Sequence, residues 1–396
     1  MKSRNKKIQA VIDWCIEKGY EVSNYQGKKH IFCFKIPQYL NDMVVNKDWL
    51  TYRNRFVGSS EIAMAMGKSN YKSKMRLYHN KIGSFPDLFT GNVYTYNGIM
   101  MEPVVADLWS HWEPGMEAEY WAEYLKNKDR PEAEKERRRK FLPCGYYMVN
   151  EKYPDISVSI DRFIPKGEFS YFNGVKFEEQ SPLELKTANI FTAKKFVNDI
   201  PLQYYVQIQS QLLVSEADEG EFALLKGGLE LQVSPVKYDE TVCAYMLKDC
   251  QDMMQRIRMG STGMKHLQTS PNKAWTIINA FEPEPDGSMD CSKFLREKRN
   301  LMGEVVKEES VGISNKQNEK WADAYRYFHH LELVGKKGKE LYKSSFLRQY
   351  PNEGYVQLDG KNKVSLSGRF GVKLTKERED KVIKKLNSIP FAYEAE

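Results

Sequence analysis

The sequence predicts an α/β fold in which a central mixed β-sheet is flanked by helices. Two observations support this class. From residue 47 to about residue 252, segments with the two-residue alternation of strands, such as ISVSIDRFI (156–164), are interspersed with segments that have the spacing of amphipathic helices, such as PLQYYVQIQSQLLVS (201–215). With 396 residues, 41% of them hydrophobic, the chain is also long enough to bury a full core.

The composition argues against several other classes of protein. No run approaches 18 apolar residues, so we expect no membrane span. The N-terminus, MKSRNKKIQAVIDWCIEKGY, is predicted to form a short amphipathic helix, and a secretory signal is not expected there. The six cysteines form no Cys-x-x-Cys pair, which argues against a zinc ribbon, an iron–sulfur cluster or a disulfide scaffold. We therefore expect a cytoplasmic protein.

The predicted elements divide the chain into three parts. Residues 1–46 form an N-terminal extension, with one helix and two extended stretches around a turn. Residues 47–252 form the α/β core. Residues 253–396 form a helical C-terminal extension, with a long helical pattern over 315–350 and a terminal β-hairpin in YVQLDGKNKVSLSGRF (355–370).

The distribution of charge leaves two interpretations open. The net charge of +7 permits a polyanionic partner but does not require one. The basic residues cluster in the run Arg137–Lys140, at the end of a largely polar segment. Such a run is typical of a solvated surface, and the alternative is a basic patch that follows a DNA backbone.

A candidate site emerges from two predicted strands. In ISVSIDRFI the two-residue period places Ser159 and Asp161 on the face opposite the aliphatic residues. In PLELK (182–186) the same period places Leu183 and Leu185 toward the core and Glu184 and Lys186 on the opposite face. Two neighbouring strands would therefore present two carboxylates and an amine to one patch.

This set of groups suits metal-dependent cleavage of a phosphodiester. The carboxylates of Asp161 and Glu184, with the backbone carbonyl of Leu185 between Glu184 and Lys186, are the hard oxygen ligands that Mg²⁺ prefers. The amine of Lys186 can orient a water molecule or offset the charge that develops on phosphate. Taken alone, a Glu-x-Lys strand is more often a solvated ion pair, and that alternative stays open at this point.

Five segments, in order, resemble the PD-(D/E)xK nucleases, and specifically the YqaJ-type viral recombinases related to phage lambda exonuclease. They are WLTYRNRFVGSSEIAMAMG, NGIMMEPVVADLW, SVSID, LELK and PLQYYVQIQSQLLVS, within about residues 49–239. The resemblance implies a restriction-endonuclease-like core. One family feature is unmatched: Thr192 stands near the position of a basic residue in the phage enzyme, which leaves the preference for DNA ends open.

The resemblance implies a role for each matched residue. It implies metal ligands at Glu102, Asp161, Glu184 and the Leu185 carbonyl, and catalytic roles for Asp161, Glu184 and Lys186. It implies DNA or phosphate binding by four family positions, and we add Ser159 because it shares a strand face with Asp161; the five residues are Arg53, Ser60, Ser159, Tyr204 and Gln207.

The implied function is a Mg²⁺-dependent deoxyribonuclease, with Mn²⁺ as a substitute. The expected reaction is 5′→3′ exonuclease action on linear double-stranded DNA ends, which leaves 3′ single-stranded tails for recombination. The resemblance also implies a single-strand annealing protein as partner and a homo-oligomer such as a trimer, in the cytoplasm of a host if a phage or virus encodes the chain. Two alternatives remain: a nuclease of this fold with endonuclease activity or another polarity, and a non-catalytic DNA-binding or assembly protein.

Overall fold

The computed structural model describes residues 5–39, 45–85, 93–112, 125–126, 129–130, 139–166, 180–189 and 200–302, and three strands between 355 and 373. The chain divides into two units, Met1–Glu304 and Val305–Glu396. The helix predicted over 315–350 lies outside the described residues, as do Thr192 and the first two arginines of the basic run.

The first sheet combines strands from the N-terminal extension with strands from the core. Its strands are β1 (Glu21–Asn24), β2 (Ile31–Lys35), β3 (Val57–Gly58), β5 (Tyr147–Asn150) and β6 (Ile156–Ser159). The order is β1-β2-β5-β6-β3, and the pairs are antiparallel except that β3 runs parallel to β6. The N-terminal extension is thus continuous with the core through the pairing of β2 with β5.

The second sheet contains the Glu-x-Lys strand. Its strands are β4 (Leu142–Pro143), β7 (Arg162–Pro165), β8 (Gln180–Ala188), β9 (Glu219–Lys226) and β10 (Glu230–Lys237). The order is β10-β9-β8-β7-β4, with β8 parallel to β9 and the other pairs antiparallel. The long strand β8 is therefore central and is paired on both sides.

The predicted α/β class is confirmed, but two mixed sheets replace the single central sheet. The chain leaves the first sheet after Ser159 and enters the second at Arg162, so Ile160 and Asp161 form the connection. Each sheet then has its own strand partners, because β6 pairs with β5 and β7 pairs with β8. Asp161 consequently lies at the junction of the two sheets.

Helices supply the outer layers, and four of them begin at a polar cap that is hydrogen-bonded to the first turn. The helices are α1 (Lys6–Glu17), α2 (Lys47–Arg53), α3 (Ile62–Ala65), α4 (Lys74–Ile82), α5 (Val93–His111), α6 (Leu202–Ser215), α7 (Glu240–Met264), α8 (Pro271–Ala280) and α9 (Met289–Met302). The side chains of Asn5, Asn46, Ser73 and Asp239 accept hydrogen bonds from first-turn amides of α1, α2, α4 and α7. Among the helices of the described residues, none combines the length and the apolar character needed to cross a membrane.

The second sheet is covered on both faces. Leu183 and Leu185 pack with Leu108 and Trp109 of α5 on one face. On the other face, residues of α6 pack against Phe222 and its neighbours on β9. Because β8 is buried from Gln180 to Leu185, a polar side chain in this part of the strand, such as that of Glu184, must find a partner inside the protein.

The first sheet carries α1 and α2. Ile8 and Val11 of α1 pack against Phe32 and Phe34 of β2, in a buried cluster that also contains Trp49 of α2. In the second unit, β11 (Tyr355–Asp359), β12 (Asn362–Ser365) and β13 (Gly371–Lys373) form an antiparallel sheet. The first two strands belong to the predicted hairpin, and the third extends it.

Candidate active site

The side chains of β8 alternate between α5 and α6 as the two-residue period predicts. Leu183 and Leu185 join the cluster under α5. Glu184 is paired with Phe222 and Lys186 with Leu224 in the register with β9, and these two partners face α6. Glu184 is fully buried, while the Lys186 side chain keeps 26% of its exposure. The glutamate therefore lies beneath the site and the amine reaches its surface.

Glu184 is held by three donors. Gln207 of α6 donates from Nε2 to Oε1 at 2.5 Å, and Gln211, one turn later, donates from Nε2 to Oε2 at 2.6 Å. The ammonium of Lys186 also donates to Oε1. Burial and the nearby charge of Asp161 nevertheless raise the pKa of Glu184. A further positive charge near Glu184 would therefore stabilise its ionised form.

Asp161 completes a compact group with Lys186. Its Oδ2 accepts a hydrogen bond from the backbone N–H of Leu185 at 2.9 Å, and Nζ of Lys186 lies 3.8 Å from the same oxygen. Burial alone would lower the pKa of Lys186, but the two carboxylates of Glu184 and Asp161 outweigh it and raise that pKa above its usual value. Lys186 therefore carries a fixed positive charge at neutral pH.

Glu102 reaches this group from α5. Its Oε1 accepts a hydrogen bond at 2.6 Å from Nη1 of Arg162, and the same nitrogen donates to the carbonyl of Asp161 at 2.6 Å. Burial and the charge of Asp161 raise the pKa of Glu102, and Arg162 opposes this effect. Arg162 was not among the predicted residues, although it follows Asp161 directly in the sequence.

Glu102, Asp161 and Lys186 line one cavity of about 300 Å³. Its walls include Gly98, Ile99, Glu102, Val105, Asp161, Leu185, Lys186 and Thr187. Within the described ranges, no three His, Cys, Asp or Glu side chains form a ready-made metal cluster. The donors do fit a hard divalent cation, because Asp161 raises the pKa of both neighbouring glutamates and a cation would relieve that repulsion.

A second cavity of about 200 Å³ brings together three of the predicted phosphate-binding residues, Arg53, Ser60 and Ser159. Arg53 ends α2, Ser60 lies in the short 3₁₀ helix Ser59–Glu61, and Ser159 ends β6. Aromatic residues frame this cavity: Trp49 donates from Nε1 to the hydroxyl of Tyr147 at 2.6 Å. One cation and several hydroxyls around an open space can bind an anion such as phosphate.

The remaining two predicted residues lie beside the first cavity. Tyr204 stacks on Phe222 with ring centroids 5.8 Å apart, and burial, together with a hydrogen bond that its hydroxyl makes to Tyr71, raises its pKa to about 12. The amide of Gln207 is buried and bonded to Glu184, so it supports the carboxylate. The structure therefore brings Tyr204 close to Lys186 and places Gln207 beneath the group.

Sequence reasoning missed the role of Gln211. Its Nε2 donates both to Glu184 and to the carbonyl of Ser159 at 2.9 Å, which connects the Glu184 carboxylate to the strand that lines the second cavity. The four-residue spacing from Gln207 was the available signal. In the basic run, Arg139 forms an ion pair with Glu221 at 2.6 Å, and its guanidinium stacks on the ring of Trp109. The charge of this arginine is thus paired within the protein.

Comparison with known protein sequences gives two findings. Residues 48–218 match the YqaJ-like viral recombinase domain. The uncharacterized protein YqaJ of Bacillus subtilis (strain 168) is 23% identical over 211 residues, which cover 52% of this chain and 55% of that protein, so the chain spans about half the length of this curated relative.

Solved structures also show similarity. An alkaline exonuclease (LHK-Exo) from Laribacter hongkongensis matches over 57% of this chain and 100% of its own, with 12% identity and a TM-score of 0.39. A phage-related exonuclease from Haemophilus somnus 129PT matches over 54% of this chain and 96% of its own, with 12% identity and a TM-score of 0.33.

Proposed function

We propose that this chain, whose residues 48–218 match the YqaJ-like viral recombinase domain, is a divalent-metal-dependent deoxyribonuclease. The observation that supports this most directly is the convergence of Glu102, Asp161 and Lys186 on one cavity, with Glu184 buried beneath it. We further propose 5′→3′ exonuclease action on linear duplex ends, which would leave 3′ single-stranded tails for strand annealing.

Glu102, Asp161, Glu184 and the carbonyl of Leu185 would hold Mg²⁺, or Mn²⁺ in its place. A bound divalent cation supplies Lewis-acid polarisation of the phosphate and lowers the pKa of water. Arg162 and Lys186 balance the charge of these carboxylates. Arg162 also donates to the carbonyl of Asp161, so its guanidinium is a cation at the site to which a substrate phosphate would be attracted.

Lys186 acts as a fixed charge in this proposal. Because its pKa is raised, it is a poor general base and a good partner for the negative charge that develops on the phosphoryl oxygens. Its position between Asp161 and Glu184 prevents it from swinging into solvent. Asp161 is itself oriented by the backbone N–H of Leu185.

The second cavity would bind a neighbouring phosphate through Arg53, Ser60 and Ser159. Ser159 and Asp161 are two residues apart, so their Cα atoms are separated by at most about 7 Å. One wall residue of each cavity thus lies close to the other along the chain, and we propose that a DNA strand with one phosphate against Arg53 presents a nearby phosphodiester to Lys186. This adjacency supports cleavage close to a strand end. Phosphate contacts of this kind predict salt-sensitive binding without base specificity.

Assembly and partners rest on the family resemblance. We propose a homo-oligomer, such as a trimer, that acts on duplex DNA ends in the host cytoplasm together with a single-strand annealing protein. These parts of the proposal are separate from the chemistry of the cavity. Mass measurement of the purified protein by light scattering tests the first of them, and a monomer at micromolar concentration would contradict it.

The decisive experiment compares three DNA substrates in Mg²⁺: linear duplexes labelled at the 5′ end or at the 3′ end, and a covalently closed circle. We expect early release of the 5′ label, retention of the 3′ label on long products and an intact circle. Cleavage of the circle would support an endonuclease. Early release of the 3′ label would support an exonuclease of the opposite polarity.

The same substrates test whether the protein is an enzyme. Replacing Lys186 by Met should abolish cleavage and preserve binding of the linear duplex in a gel-shift assay, because the fixed charge acts on the transition state. If the unmodified protein cleaves none of the three substrates in Mg²⁺ or Mn²⁺, the nuclease proposal is wrong and a DNA-binding or assembly protein is favoured.

A further inference from the structure

Lys81 of α4 is a buried lysine close to the second cavity. Its side chain keeps 2% of its exposure, its ammonium lies 2.7 Å from Oε2 of Glu61, and it donates to the backbone carbonyl of Arg53 at 2.8 Å. A buried ammonium carries a desolvation cost, so its presence beside a cavity that faces solvent calls for a physical reason.

Glu61 connects this lysine to the wall of the cavity. Its Oε1 accepts from Nε of Arg53 at 3.0 Å, and its Oε2 accepts from the backbone N–H of Gly58 at 2.8 Å. The contact uses Nε of the guanidinium and leaves the two Nη groups on the cavity side, where Nη2 lies 3.3 Å from Oγ of Ser60. The guanidinium also lies over the ring of Trp49, 5.2 Å from its centroid. Arg53 is therefore held in one orientation.

An arginine held by a carboxylate alone would be a poor ligand for an anion, because the pair has no net charge. Lys81 changes this balance: two cations and one anion leave a net charge of +1 beside the cavity. Burial would raise the pKa of Glu61, but Arg53 and Lys81 lower it to about 2. Burial lowers the pKa of Lys81 to about 8, with Glu61 opposing and Arg53 and Lys7 contributing. At neutral pH the three groups are thus all charged.

We propose that Lys81 is a positioning residue that neutralises Glu61, so that Glu61 can orient Arg53 without cancelling the positive charge that Arg53 offers to a DNA phosphate. The inference rests on the proposed function, since it assumes that the second cavity binds phosphate, and specifically the phosphate at the 5′ end of a strand. It adds that α4, an element outside both cavities, sets the strength of that binding.

The test measures the affinity for a short duplex with a 5′-phosphate and for an otherwise identical duplex with a 5′-hydroxyl. Both measurements are made in EDTA so that cleavage does not interfere. The readout is the ratio of the two affinities. Lys81→Met should reduce this ratio about tenfold, the loss expected for one charge-assisted contact. The double variant Glu61→Gln/Lys81→Met returns the net charge to +1, so its ratio of affinities should come close to that of the unmodified protein. Lys81→Arg keeps the charge and should leave the ratio unchanged.

Lys298 provides a matched control. It is also a buried lysine, and it pairs with Glu282 at 2.5 Å and with Oδ1 of Asn279 at 2.9 Å, away from the cavity-lining residues. Lys298→Met should lower thermal stability without changing the phosphate preference. In the unmodified protein the preference should decline as the pH rises through about 8, because Lys81 then loses its proton, whereas the double variant should lack this decline.

Three results would overturn the inference. The first is an unchanged ratio in Lys81→Met. The second is a double variant whose ratio of affinities is as low as that of Lys81→Met, which would indicate that Lys81 has only a packing role. If Lys81→Met fails to fold, the double variant alone provides the test. The third is an unmodified protein that binds both duplexes equally, which would remove the phosphate role of the cavity. The cleavage assays described above judge the nuclease proposal separately.

Discussion

Replacing Gln211 by Leu should raise the Mg²⁺ concentration that cleavage requires, although this side chain is fully buried. Gln211 is fully buried and gives two hydrogen bonds, one to the Glu184 carboxylate and one to the carbonyl of Ser159. Leucine has a similar size but cannot donate, so a buried carboxylate loses one of three donors. The pKa of Glu184, already raised, should rise further, and a cation must then displace a more tightly held proton.

The magnitude follows from the number and kind of bonds lost. Leaving a buried acceptor without its donor costs about 1–3 kcal/mol, and loss of a hydrogen bond to a metal-ligating carboxylate typically costs 10–100-fold in metal affinity or activity. We therefore expect the Mg²⁺ concentration for half-maximal cleavage to rise at least tenfold, with a drop in the free energy of unfolding of about 2 kcal/mol.

Gln209→Leu is the matched control for this variant. Gln209 lies on the same helix, is equally buried and is also hydrogen-bonded: its Nε2 donates to the carbonyl of Lys237 at 2.7 Å, and its Oε1 accepts from the N–H of Asp239 at 2.9 Å and from Sγ of Cys243 at 3.8 Å. It should lose similar stability and keep the normal Mg²⁺ requirement. Titration of cleavage with Mg²⁺ and of binding with Mn²⁺ compares the two variants. Equal Mg²⁺ requirements in both would refute the role given to Gln211.

Three further predictions concern stability. Mg²⁺ at about 100 times its dissociation constant should stabilise the fold by about 2.7 kcal/mol relative to EDTA, seen as a higher melting temperature; an equal rise in Asp161→Asn would contradict the predicted ligand set. The pKa of Glu61 falls from 4.5 to about 2 on folding. Its contribution to the free energy of unfolding is therefore fully present above pH 4.5 and is lost as the pH falls toward 2. The difference in unfolding free energy between the native protein and Glu61→Gln, measured in urea, should therefore shrink by about 3 kcal/mol over that range, and a constant difference would count against the ion pair. Gly260→Ala would place a methyl group 1.9 Å from the hydroxyl of Tyr78, at a cost of about 2 kcal/mol or more by calorimetry, whereas Gly98→Ala meets open space and should not lower the melting temperature.

The two-residue period was sufficient to predict which side chains share a face of β8. Leu183 and Leu185 lie under α5, and Glu184 points toward α6, as that period requires. The same reasoning placed Asp161 on a strand next to β8; its side chain does contact the N–H of Leu185, but the strand prediction was wrong, because Asp161 lies in the connection between β6 and β7. Alternation is a local property of the chain and can be read without knowledge of the fold. The chemical roles of these residues stay predictions.

The division into two sheets could not be predicted in this way. The connection Ile160–Asp161 contains neither glycine nor proline, so nothing local marks the change of strand partners. The pairing of Arg162 with Glu102 and of Lys81 with Glu61 depends on how distant segments pack. Periodicity assigns a side chain to a face, but the partner on the opposing element is set by tertiary structure.

The strands β1 and β2 have a practical consequence for truncated versions of this protein. A fragment that begins at residue 47 would leave β5 as an open edge, with backbone N–H and C=O groups that can pair with another molecule. It would also lose Phe32 and Phe34, which cover part of the buried surface around Trp49. Such a fragment is expected to aggregate, and its inactivity would carry no information about the residues that perform the chemistry.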